Sequence, residues 1–275
     1  MYQRILFALD LEGINHVVGE PYQGLYQGGE GWRIARAQAV LEVNAAAEAL
    51  FDLGVKEVAL WDNHGGGNNV EPDDLHKRIR LITPEPNELR MSFAENRFDC
   101  ICYFGYHAME GTLGGVLAHT MSSATVQYYK LNGRYIGEID MDAYIAAAHG
   151  MPSVFFAGGD IACKQAKLAV DTLVTAETKK ELSRNQAIFR NNEELLEEIK
   201  HKIVEAVCSE VAPRGLQYPS VMEKSFKRTE DAARYLSKLG ALGIEASHPD
   251  DAILGKDAHT VVSTVYNLEQ FIQCI

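Results

Sequence analysis

The strongest constraint on the fold of this chain is its alternation of short, uniformly apolar runs with longer segments of helical periodicity. Strand-like runs at residues 5–10, 57–62, 99–105 and 153–157 alternate with helical patterns at 34–53 and 162–173. Strands that are apolar throughout need cover on both faces, which is the situation of a parallel sheet between helices. In the first helical pattern Ile34, Ala37, Val40, Leu41, Ala45, Leu50 and Leu53 recur at helical spacing, with Gly54 placed as a C-terminal cap. One segment departs from the alternation. Residues 126–131 and 134–138 flank Asn132-Gly133, which predicts a hairpin inserted between parallel units, followed by a helix over 141–149 that Gly150 and Pro152 end.

Beyond about residue 180 the texture changes to a charged amphipathic helix over 193–211, a link containing Pro213 and Pro219, and a helix capped by Thr229 with Glu230 and Asp231 in its first turn. At 275 residues and 47% hydrophobic the chain can bury one large core or two smaller ones. The expected architecture is α/β: a mostly parallel sheet sandwiched by helices with an inserted β-hairpin. Residues 1–180 would form the α/β domain and 181–275 a smaller, helical or mixed C-terminal subdomain.

In open parallel sheets ligands bind at the carboxyl ends of the strands. The first apolar run ends in Asp10-Leu11-Glu12-Gly13, two carboxylates at i and i+2. Such side chains point to the same side and repel unless a cation or proton lies between them. Two further runs end in a histidine, at Trp61-Asp62-Asn63-His64 and Phe104-Gly105-Tyr106-His107. Asp10, Glu12, His64 and His107 are therefore expected at one edge of the sheet as metal ligands. The sequence His64-Gly65-Gly66-Gly67 resembles the oxyanion loop of some serine esterases, but no Gly-x-Ser-x-Gly elbow occurs in the chain. His119 follows His107 across the glycine-rich stretch 111–115, so a loop can fold back and present it as a base, acid or nucleophile. Glu138 lies in the apolar stretch Ile136-Gly137-Glu138-Ile139, where desolvation demands a partner and a cation would serve.

The five cysteines (Cys100, Cys102, Cys163, Cys208, Cys274) are odd in number and scattered, without Cys-x-x-Cys spacing. They predict a reducing compartment and a metal held by oxygen and nitrogen. A formal charge of -12 without a basic block excludes binding to a phosphate backbone. No window holds the roughly 18 apolar residues of a membrane span, and Met1-Tyr2-Gln3-Arg4 leads directly into a strand, so a cytoplasmic location is expected.

The blocks Asp10-Leu11-Glu12-Gly13-Ile14, Asp62-Asn63-His64, Gly105-Tyr106-His107-Ala108, His119-Thr120-Met121, Asn132-Gly133 through Gly137-Glu138, and Ala157-Gly158-Gly159-Asp160 resemble, in order, the signature blocks of the zinc D-aminopeptidases of bacterial dipeptide-transport operons. The resemblance implies that Asp10 bridges two zinc ions per subunit, that Glu12, His64, His107 and Glu138 complete their shells, and that His119 is the nucleophile. It further implies release of N-terminal D-residues from short peptides and a ring-like homo-oligomer. The chain departs from that pattern in a loop one residue longer between His107 and His119, and in Asp142, where an asparagine is usual. Read from the residues alone, His119 is a proton carrier. Two other readings stay open: a metal-bearing peptide-binding or regulatory protein without turnover, and a two-metal phosphoesterase. The latter would want Arg or Lys beside the motifs, where only Arg134 stands.

Overall fold

Apolar runs without a polar face become parallel strands without a wet face. The computed structural model describes residues 1–19, 25–85 and 87–275. In chain order its elements begin β1 (Arg4–Leu9), α1 (Glu30–Asp52), β2 (Glu57–Asp62), β3 (Ile79–Ile82), β4 (Cys100–Tyr106), β5 (Val126–Leu131), β6 (Arg134–Ile136), α2 (Glu138–Ala148), β7 (Ser153–Gly158) and α3 (Asp160–Ala169). They continue with β8 (Val174–Glu177), β9 (Lys179–Ser183), β10 (Gln186–Phe189), α4 (Asn192–Cys208), β11 (Ser220–Phe226) and α5 (Thr229–Ala241). The short strands β12 (Ala246–Ser247), β13 (Asp250–Asp251) and β14 (Gly255–Lys256) precede β15 (Thr260–Val265) and α6 (Leu268–Cys274).

Six strands form a parallel sheet in the order β3-β2-β1-β4-β7-β8. Every residue of β4 and β7 is buried, because helices cover both faces. Phe7, Leu9, Phe104 and Phe155 pack with Val43 and Leu50 of α1 and Ile199 and Ile203 of α4. Leu6, Tyr103, Tyr106 and Phe156 pack on the other face with Ile139 and Ile145 of α2 and Ala162 and Ala166 of α3.

The Asn132-Gly133 hairpin forms as expected, both turn residues taking positive φ (49° and 79°), the backbone that a two-residue turn of this kind requires. It does more than interrupt the parallel units. Its strand β5 pairs antiparallel with β11, and the hairpin becomes one edge of a five-stranded sheet, β12-β15-β11-β5-β6. Conversely α4, from beyond residue 180, packs against α1 and the parallel sheet.

Helix ends differ from expectation in several places: α1 begins at Glu30 rather than 34, and α3 spans Asp160–Ala169 rather than 162–173. Helix α2 begins at Glu138 rather than 141, since the Asp140 carboxylate accepts from the Gly137 backbone N–H at 2.9 Å and closes the first turn. Helix α4 stops at Cys208 rather than 211. Thr229 is the first residue of α5 rather than its cap; Arg228 holds the cap position, without a capping hydrogen bond from its side chain. Among the described residues no helix is long and apolar enough to cross a membrane.

Candidate metal centre

Strands β2, β1 and β4 are neighbours, so their carboxyl ends lie side by side. The ladder continues past them: Asp10 N–H donates to Phe104 O at 2.8 Å, Gly13 N–H to Gly105 O at 2.6 Å and Asn63 N–H to Leu9 O at 2.8 Å. Only glycine permits so close a crossing. A Cβ on Gly13 would lie 2.0 Å from Tyr106 O, and one on Gly105, whose φ is +72°, would lie 2.0 Å from Asp10 O. Gly105→Ala is therefore expected to cost more than about 2 kcal/mol, since it adds both backbone strain and a clash, and to displace Asp10. Urea unfolding and metal content measured on the same preparation check this; wild-type values for both would refute the close-packing account.

The crossing brings together all six residues singled out by sequence. His107 Nε2 lies 3.5 Å from Asp10 Oδ2 and 3.3 Å from Glu138 Oε1. His64 Nε2 lies 3.4 Å from Glu12 Oε1. His119 Nε2 lies 4.0 Å from Glu12 Oε1 and 3.9 Å from Glu138 Oε1, and its ring stacks on that of His107 with centroids 3.9 Å apart. Each imidazole meets an oxygen that can only accept: Ala108 O at 3.0 Å for His107 Nδ1, Leu117 O at 2.8 Å for His119 and Asn69 Oδ1 at 3.4 Å for His64. Every Nδ1 therefore donates, which leaves three Nε2 atoms turned toward the carboxylates.

Glu12 Oε2 and His107 Nε2 are buried without a hydrogen-bond partner. Three groups of potential ligand atoms lie within 4.8 Å of one another: Asp10, Glu12 and His64; Asp10, His107 and Glu138; Glu12, His107 and His119. Asp10, Glu12 and His107 each belong to two of them. Mixed carboxylate and imidazole donors suit a divalent metal such as zinc, and the orphaned atoms are those a cation would satisfy.

Electrostatics point the same way. Burial and then the charge of Glu12 hold the Asp10 carboxyl well above the usual range. Burial acts upward on Glu12 as well, yet the hydrogen bond and charge of His64, with His107 and His119 beyond it, hold that carboxyl well below. Glu138 is lowered to about 2 against its burial, chiefly by the charge of His107. Burial opposes protonation of His64 and His107, but Glu12 and Glu138 respectively raise each to about 9. His119 is lowered, by burial and then by the charge on His107, and is neutral at neutral pH.

A pH dependence follows. A histidine raised to about 9 contributes stability that is fully present below its unfolded value near 6.5 and is lost as pH rises through about 9. The metal-free protein is expected to lose stability over that window. Metal binding must displace these protons, so zinc titrated at pH 7 in buffers of different ionisation enthalpy is expected to release about two. No release would mean that His64 and His107 do not bind through Nε2.

A family model described as D-aminopeptidase matches residues 3–245, a stretch that contains the whole cluster. The chain belongs to the D-aminopeptidase family. It is similar to a curated D-aminopeptidase of Bacillus subtilis (strain 168), 28% identical over 183 residues, or 66% of this chain; the match spans 65% of that relative's length. The fold is shared with a solved structure described as the Zn-dependent D-aminopeptidase DppA from Bacillus subtilis, a self-compartmentalizing protease. That likeness covers 98% of this chain and 94% of the other at a TM-score of 0.84 and 24% identity.

In this member of the D-aminopeptidase family the cluster is braced by residues that carry no motif. Asp142, in sequence only a departure from the family pattern, is fully buried and accepts from Arg90 Nε and Nη2 at 2.6 and 2.8 Å and from Tyr106 Oη at 2.6 Å. Arg90 also lies over the Trp61 ring at 4.9 Å, and Asn63 Nδ2 donates to Tyr106 Oη at 3.0 Å. This network ties the ends of β2 and β4 to α2. The loop between His107 and His119 does fold back, with His119 N–H donating to Ala108 O at 3.2 Å. What holds it is the β9–β10 hairpin. Glu181 accepts from Val116 N–H at 2.6 Å and Ile161 N–H at 2.9 Å, while Arg184 Nη1 donates to Ala118 O at 2.6 Å. Charged residues on a short strand carry no sequence signal that separates them from a solvated edge.

Proposed function

We propose that this chain is a zinc-dependent aminopeptidase that releases N-terminal amino acids, D-residues in preference, from short peptides or amides. The observation that carries the proposal is the convergence of Asp10, Glu12, His64, His107 and Glu138 around two orphaned buried atoms, with a neutral His119 facing them. Asp10, Glu12 and His107 each belong to two ligand groups, and in this reading Asp10 would be the ligand that two zinc ions share. Glu12 with His64, and His107 with Glu138, would then hold one ion each. Zinc, when bound, supplies Lewis-acid polarisation of a scissile carbonyl and makes water acidic enough to ionise near neutral pH.

The chain's own contribution is proton handling and order. His119 donates through Nδ1 to Leu117 O, so Nε2 is the atom that accepts a proton and returns it to the departing amine. Stacking on His107 keeps that ring edge directed at the cluster. Glu138 Oε1 accepts from Met121 N–H at 2.7 Å, which ties the carboxylate to the loop of His119. Arg90 and Arg134 are both engaged by carboxylates, Asp142 and Asp140, which favours a peptide over a phosphate ester as substrate.

Residues 1–180 form the catalytic part in this reading, braced by 181–275. Leu113, 97% exposed, with Leu182, Ile188 and Phe189 on the bracing hairpin, offers apolar surface to other copies in a ring-like homo-oligomer. Five free cysteines suit the cytoplasm.

The test is hydrolysis of matched D-Ala and L-Ala 4-nitroanilides and dipeptides by the purified protein, with chelator and with zinc restored. Turnover that prefers the D-substrate, stops with chelator and returns with zinc is the expected result. Inactivity on every substrate despite bound zinc would favour a metal-bearing binding protein instead.

A further inference from the structure

The segment from Glu12 to Val17 joins β1 toward α1 without forming helix or strand, so its carbonyls need donors from elsewhere. One side chain provides three of them. Lys179, at the start of β9 and 1% exposed, donates through Nζ to Glu12 O at 2.5 Å, Ile14 O at 2.9 Å and Val17 O at 2.7 Å. Its neighbour Thr178 donates through Oγ1 to Gly13 O at 2.5 Å. An ammonium has three hydrogens, and here backbone oxygens take all of them, which leaves none for substrate or for a carboxylate. Lys179 therefore acts through the backbone it grips. The residue at the head of that segment is Glu12, and Asp10 lies two residues before it.

A buried ammonium is costly to place, and a lysine serves here for a geometric reason. It satisfies three convergent carbonyls, which a planar guanidinium fork cannot do from one point.

We propose that Lys179 is a positioning residue of the metal centre: by clamping the carbonyls of Glu12, Ile14 and Val17 it holds Glu12, and with it the strand-end carboxylate pair, in the geometry that grips the ion. This role rests on the metal-centre reading of the cluster. It gives a working part to the β9 strand, which contributes no ligand.

The experiment compares wild type, Lys179→Met and Val43→Ala; Val43 is a buried α1 core residue outside every candidate ligand group and serves as a control for lost stability. Zinc affinity is measured by chelator competition, and Co²⁺ loaded in place of zinc reports ligand geometry through its visible absorption. Lys179→Met is expected to bind zinc about 10–100-fold more weakly, the usual effect of removing an outer support of a ligand, with a shifted Co²⁺ band. Val43→Ala is expected to lose stability at wild-type affinity and spectrum. A folded Lys179→Met with wild-type affinity and spectrum would overturn the proposal. Should that variant not fold, Thr178→Val removes one donor from the same loop without a change of charge. It is expected to weaken zinc several-fold, and unchanged affinity would equally overturn the proposal. Failure of the wild type itself to bind zinc or Co²⁺ would instead sink the metal-centre reading, and this proposal with it.

Discussion

Replacing His119 by alanine is expected to lower kcat by about 10²–10⁴-fold, the range for losing a positioned general acid or base, while zinc content stays at the wild-type level. His119 differs from the other two histidines of the cluster in its protonation. His64 and His107 are raised to about 9 by carboxylates at 3.3–3.4 Å, whereas His119 sits farther from any carboxylate and beside the positive charge of His107. It is therefore the imidazole that is neutral at working pH, with a free Nε2 and a side chain still 15% exposed and open to a substrate. The variant should also lose the acid limb of the pH profile of kcat/KM. Steady-state kinetics on D-Ala 4-nitroanilide and metal content of the same protein by mass spectrometry decide the matter. Loss of zinc together with turnover would place His119 among the ligands, in the group it forms with Glu12 and His107.

Asp10→Asn is expected to act in opposite directions on function and stability. It removes a carboxylate that belongs to two of the three candidate ligand groups, so zinc affinity should fall by more than about 100-fold, beyond what loss of an outer support costs, and turnover with it. The metal-free variant should nevertheless be more stable than the metal-free wild type, by about 0.5–2 kcal/mol at neutral pH, as is common when a strained functional group is removed. Burial and the neighbouring Glu12 raise the folded-state pKa of Asp10, so the folded protein holds this proton more tightly than the unfolded chain. Stability from that group is present at low pH and declines as pH rises above the unfolded value near 4. The advantage of asparagine should therefore vanish below about pH 4 and grow above it. Chemical denaturation of both metal-free proteins across pH checks this, and equal stability at pH 7 would mean that Asp10 is not under electrostatic strain. Added zinc should reverse the order, since it stabilises only the protein that binds it.

The candidate cluster is legible in the sequence to the extent that its residues adjoin strong local patterns. Asp10, Glu12, His64 and His107 each follow an apolar run, and such a run marks the end of a buried strand through consecutive residues alone. Glu138 and His119 are legible only by company, an acid in an apolar stretch and a histidine across a glycine loop. Helix α2 begins three residues earlier than its sequence pattern predicts because the residue that closes its first turn, Asp140, looks like one more acid apart from its bond to Gly137. Arg90, Lys179, Glu181 and Arg184 are not legible at all. A charge on a loop or a short strand looks the same in sequence whether water or a buried carbonyl receives it.

The sequence by itself determined the elements that depend on neighbours: the apolar parallel strands, the helices between them, the Asn132-Gly133 turn and the candidate ligand side chains that follow three of the strands. The period of a hydrophobic pattern and the sterics of a turn are properties of a few consecutive residues. Only the tertiary structure decided which strand ends became adjacent, that β5 pairs with β11 of the C-terminal half, and that Lys179 reaches Glu12 across 167 positions of the chain. Those contacts are selected by the joint burial of surfaces far apart in sequence. Their energy belongs to the assembled core and not to any segment of it.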